Sequence, residues 1–134
     1  MYNGTTCRFS GSRDVGVRVF FAPIEAFGGG RDELATSCLF APKGVMLGAH
    51  VVVDSDRRWY TGTGVPPDGS YDLWSVLTHE LGHAFGRSGH QEGCPSELDL
   101  HYPTMCTKYS TRDTKWRDTE LLDRLPMTRM YAPK

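Results

Sequence analysis

Apolar residues fall in three short dense runs, then in one longer run at helical spacing, after which the pattern dissolves. Val15 to Phe21 (VGVRVFF) is rich in β-branched and aromatic residues and stops at Pro23, which predicts a buried strand. Phe27 to Gly30 predicts a turn. Leu34 to Phe40 (LATSCLF), ended by Pro42, and Ala49 to Val53 (AHVVV), ended by Asp54, Ser55 and Asp56, predict two further strands. The Gly, Pro and Asp content from Trp59 to Ser70 predicts a loop. Asp72 to Phe85 (DLWSVLTHELGHAF) predicts a helix: Leu73, Val76, Leu77, Leu81 and Ala84 recur at its period, Ser70 or Asp72 can cap its amino end, and Gly86 can close it in a left-handed conformation. From Arg87 to Lys115 the chain is too polar and irregular for regular structure. Asp118 to Leu125 predicts a short helix that Pro126 ends or kinks. The expected fold is α+β: a small twisted sheet, mixed and mostly parallel, over the strong helix, with an irregular C-terminal subdomain closed by a short helix.

With 134 residues the chain predicts one domain spanning 1–134. Hydrophobic residues make up 39% and aromatics 11%, enough to offset chain ordering, so a wholly disordered chain is excluded. Net charge is −1, from 15 basic and 16 acidic residues, and no Lys/Arg run gives the one-signed field that nucleic acid or anionic lipid demands. No apolar stretch approaches the roughly 20 residues that cross a bilayer, and no hydrophobic signal core follows Met1. Cys7, Cys38, Cys94 and Cys106 are even in number without a CxxC pair, which favours two disulfides and an oxidising, extracellular compartment over buried thiols. Of the three connectivities, Cys94 with Cys106 closes a short loop and leaves Cys7 with Cys38.

His79 and His83 stand four apart on the strong helix, so both imidazoles project from one face and can bite a single metal ion. Glu80 lies between them. In an HExxH arrangement the glutamate does not ligate; it is the general base that takes a proton from water and delivers it to the leaving amine. The bland alternative is a solvated helix face with an ion-paired Glu80. Catalytic zinc takes a third protein ligand, and past Gly86 the candidates are His90 and His101, of which His90 is preferred. His50 reads as a hydrogen-bonded strand histidine. Trp59, Trp74 and Trp116 read as core rather than sugar platforms, and Asp54, Ser55 and Asp56 as a polar strand end.

His79 to His90 (HELGHAFGRSGH) resembles the metzincin signature HExxHxxGxxH, in which the glycine permits the turn that brings a third histidine to zinc. The last histidine here comes one residue late, with Gly89 at the expected place. Tyr102 to Cys106 (YPTMC) resembles the metzincin Met-turn, which makes Met105 an apolar floor that does not bind zinc, with plain core packing as the alternative. The small size and the Cys94 to Cys106 pair around CPSEL resemble snapalysin-like and matrixin-like bacterial members. The resemblance implies a secreted, monomeric zinc endopeptidase acting on extended polypeptide. It also implies that the edge strand Thr36, Ser37, Cys38, Leu39 and Phe40 aligns substrate by backbone hydrogen bonds, and that Tyr109 lines a side-chain pocket.

The chain departs from the family in several places. The usual first strand and backing helix do not fit before Val15. A cysteine-switch pro-segment is not seen, Thr107 stands where some members carry Tyr, and calcium stays open with no convincing loop to support it. Two other functions use the same residues: an inactive zinc-bearing binding module, and a hydrolase of short peptides or cell-wall amides.

Overall fold

The computed structural model describes residues 16–41, 47–85, 90, 104–106 and 111–118. It divides into two compact units, Met1–Arg57 and Arg58–Lys134. Among the described residues the architecture is α+β, with a mixed sheet and one α-helix.

The first unit holds β1 (Gly16–Ala22), a 3-10 helix (Ile24–Phe27), β2 (Ala35–Phe40) and β3 (Gly48–Asp54). The sheet order is β1-β3-β2: β1 runs parallel to β3, with Val19 beside Val51, and β2 antiparallel to it, with Cys38 beside His50. The central position of β3 accounts for its unbroken apolar run, because a strand covered on both faces has no polar side to alternate. Val51, Val52 and Val53 are all 0% exposed.

The buried strand expected over Val15 to Phe21 is corrected. β1 is an edge strand whose Val17, Val19 and Phe21 are 43, 45 and 52% exposed. Its other face is closer to the 3-10 helix: the Phe20 ring meets Phe27 edge-on at 5.4 Å and His50 at 5.8 Å. A dense apolar run specifies a strand, but nothing in it encodes what covers each face. The 3-10 helix replaces the start of the expected turn. Gly28 closes it at φ 80, a left-handed conformation glycine adopts without steric cost, and Ile24 is buried beneath.

The second unit begins with β4 (Trp59–Tyr60) and β5 (Tyr71–Asp72), a two-residue parallel pair inside and just beyond the expected loop. Helix α1 spans Leu73–Ala84. Asp72, not Ser70, is the N-cap, accepting from Ser75 N at 3.0 Å. The C-cap is Phe85, and Gly86 lies outside the described residues. Val76 and Ala84 of the expected apolar face are buried, whereas Leu73, Leu77 and Leu81 are half-buried. The deeper stripe carries Ser75, His79, Glu80 and His83.

Trp116 is buried and Trp59 half-buried, but Trp74 is 58% exposed, which corrects its expected core role. Its indole N–H donates to Thr61 O at 3.2 Å, so the ring is tied to the surface loop instead. Cys38 and Cys106 are disulfide-bonded, and no described cysteine is free. Cys7 and Cys94 lie outside the described residues, as does the expected closing helix beyond Asp118. No helix among the described residues is long and apolar enough to cross a membrane.

Candidate metal centre

The second unit gathers His79, His83 and His90, each with a donor nitrogen within 4.8 Å of the others. Helix geometry supplies the first two. Residues four apart share a face, and the His79 and His83 rings meet edge-on with centroids 4.9 Å apart. His90, itself outside regular structure, joins them with its ring 5.1 Å from each of the other two. His79 and His83 are buried and His90 is exposed, so the cluster opens to solvent on the His90 side.

Donor geometry tests whether the cluster suits a metal. The Nε2 atoms of His79 and His90 stand 3.2 Å apart. Two imidazole nitrogens on one tetrahedral zinc, each bonded at 2.0–2.1 Å, lie roughly 3.3–3.4 Å apart. With all three donor nitrogens within 4.8 Å of one another the group could hold a single metal ion, and imidazole is the commonest side-chain ligand for one.

His79 is oriented from behind. Its Nδ1–H donates to the backbone carbonyl of Thr104 at 2.5 Å, which makes Nε2 the nitrogen that carries the lone pair a metal would take. Trp116 stacks on the same imidazole, with centroids 4.6 Å apart and planes 21° from parallel. Met105 is 1% exposed. A Cβ at Gly82, one turn after His79, would overlap Met105 Sδ, so the bare glycine is what admits the methionine against the helix. Glu80, next to His79 on the helix, is 6% exposed.

A second polar cluster fixes the amino end of α1. Burial disfavours the charged form of Asp72, but hydrogen bonds from Arg117 and Ser75, with the Arg117 charge, outweigh it and hold the carboxyl below its ordinary value. Arg117 also donates to the carbonyls of Gly62, Thr63 and Gly64. Asp68 pairs with Arg112 at 2.5 Å, and Arg112 N donates to Ser70 O at 3.0 Å. Residues 111–118 are thus tied both to the loop before α1 and to its N-cap.

Of the residues singled out in the sequence, the structure brings together His79, His83 and His90, with Glu80 and Met105 alongside on or against the same helix. Thr36, Ser37 and Cys38 are buried and Leu39 and Phe40 half-buried on β2, an edge strand of the first unit. His101 and Tyr109 lie outside the described residues. His50 sits in the middle of β3.

Sequence reasoning missed the Thr104 carbonyl, the Trp116 stack and the Arg117 clamp. A backbone acceptor has no side-chain signature, so only the fold could reveal Thr104. Gly82 did carry a signal: a mid-helix glycine costs about 1 kcal/mol relative to alanine, which calls for a packing reason. Comparisons with protein-family models, curated proteins and solved structures found no match to the chain.

Proposed function

We propose that the chain is a zinc-dependent endopeptidase of the metzincin type, with His79, His83 and His90 as ligands and Glu80 as general base. The observation that carries this reading is the convergence of three imidazoles with donor nitrogens within 4.8 Å of one another, beside Glu80, buried on the helix that carries His79 and His83. The HELGHAFGRSGH motif, with Met105 packed under the helix as a Met-turn methionine would be, supports the family. Disulfide-bonded Cys38 and Cys106 support a secreted protein, with Cys94 to Cys106 and Cys7 to Cys38 as the proposed pairs. The substrate-aligning role of residues 36–40 belongs to the same proposal.

Zinc, when bound, polarises the scissile carbonyl and brings the pKa of water to about 7. Glu80 then removes a proton from the attacking water as the new C–O bond forms, and passes it to the amide nitrogen as the C–N bond breaks. Proton and bonds balance, leaving a carboxylic acid and an amine. His79, tethered through Nδ1 to Thr104, keeps its other nitrogen aimed at the ion during turnover.

The test is metal analysis of the disulfide-intact chain together with mass-mapped cleavage of a denatured protein, for wild type and Glu80→Gln. The expected result is one zinc per chain in both, and cleavage slowed roughly 100- to 10,000-fold in the variant. A chain with no stoichiometric transition metal overturns the reading. Zinc without any cleavage identifies a binding module, and cleavage of short peptides or cell-wall amides alone moves the substrate class.

A further inference from the structure

We propose that Trp116 is a positioning residue of the metal centre, holding the plane of the His79 imidazole so that Nε2 meets the ion. This rests on the three histidines binding metal and is independent of peptidase activity.

A hydrogen bond in the plane of an imidazole fixes where the ring points and leaves its tilt about that bond open. The Nδ1–H to Thr104 contact constrains the direction of His79 but not the tilt of its ring. The indole of Trp116 restrains the tilt: it lies nearly parallel to the imidazole, with planes 21° apart and centroids 4.6 Å apart, and is itself 4% exposed. His83 meets His79 at 84° and so presents an edge, whereas His90 also stacks on the ring, at 24° and 5.1 Å, but is exposed where Trp116 is buried.

Trp116 can act as a wall because the two residues that follow it are held in place. Its neighbour Arg117 is bonded to Asp72 at the head of α1, through Nη2 to Oδ1 at 2.7 Å. The next residue, Asp118, accepts from Thr104 Oγ1 through its carbonyl at 3.1 Å. Thr104 thereby joins the two restraints: its carbonyl takes the His79 proton and its hydroxyl holds the segment that carries the indole. One short stretch of chain orients one ligand in both direction and tilt. Outer partners of metal-ligating histidines typically contribute roughly 10- to 100-fold in metal affinity.

The experiment is a zinc competition titration against a chromophoric chelator for wild type, Trp116→Leu and Trp116→Phe, at a temperature where each metal-free protein is folded by near-ultraviolet circular dichroism. Leucine preserves apolar bulk and phenylalanine preserves a flat face. Trp116→Leu is expected to weaken zinc roughly 10- to 100-fold, with Trp116→Phe restoring most of the loss. Wild-type affinity in the leucine variant, or equal weakening in both, overturns the proposal. Should the leucine variant fail to fold, a chain with Trp59 and Trp74 replaced by Phe gives the answer: one equivalent of copper(II) must quench the remaining indole emission, and unchanged emission on saturable binding overturns the proposal. Wild type that binds no zinc removes the metal reading instead.

Discussion

Arg117 grips both carboxylate oxygens of Asp72, with Nη2 to Oδ1 at 2.7 Å and Nε to Oδ2 at 2.9 Å. The same carboxylate caps α1 through Ser75 N, and the same guanidinium holds the carbonyls of Gly62, Thr63 and Gly64. Loop, helix start and the Trp116 segment therefore share one ion pair. The Asp72 side chain is 0% exposed, and removing one partner of a buried pair leaves the other charge uncompensated, at about 3–5 kcal/mol. Arg117→Met is expected to lose stability on that scale in urea unfolding, and the double variant with Asp72→Asn to lose less than the two single losses combined. Strict additivity would mean the two groups act separately.

The same pair sets a pH dependence. Because the folded carboxyl of Asp72 titrates below its ordinary value of 3.8, folding favours the ionised form. The stabilisation is therefore complete above the unfolded-state value and is lost as pH falls through the folded one. Unfolding free energy should decline below about pH 4 more steeply in wild type than in Asp72→Asn. Parallel curves for the two proteins would show that Asp72 contributes no such slope.

Gly82→Ala sets two effects against each other. Helix propensity favours alanine by about 1 kcal/mol, whereas overlap of the new methyl group with the fully buried Met105 sulfur is overpacking that costs about 1–3 kcal/mol. Sterics should win because Met105 is 1% exposed and its sulfur sits where the methyl group would be. A thermal melt should show net destabilisation, and the same Gly82→Ala change made in a Met105→Ala background should no longer destabilise. A stabilised Gly82→Ala protein would contradict the packing.

His90→Ala separates metal binding from folding. His90 is exposed and stands outside regular structure, so its truncation should change the stability of the metal-free chain by no more than about 0.5 kcal/mol. Zinc at 100 times its dissociation constant should stabilise wild type by about 2.7 kcal/mol. Calorimetry with and without chelator should show that increment in wild type and His101→Ala, and none in His90→Ala. An increment lost in His101→Ala but kept in His90→Ala would transfer the third position to His101.

Local chemistry made much of this protein legible in its sequence. The α1 helix follows from apolar residues at a 3.6-residue period with Asp72 available as cap, and the placement of His79 and His83 on one face is a property of any helix. The three longer strands follow from β-branched and aromatic runs bounded by Pro and Asp. The preference for His90 over His101 came from the resemblance of HELGHAFGRSGH to the metzincin signature.

Only the tertiary structure decided which faces are covered and which partners meet. Periodicity assigned Leu73, Leu77 and Leu81 to the buried side of α1, yet the deepest stripe carries His79, Glu80 and His83. The density of β-branched and aromatic residues over Val15 to Phe21 predicted a buried strand, although Val17, Val19 and Phe21 stand open. The contacts of His79 with Thr104 and Trp116, and of Asp72 with Arg117, join positions 25 to 45 residues apart. No local pattern records such a meeting, because a hydrogen bond or ring stack depends on distance in space, and distance in space is set by the whole chain packing at once.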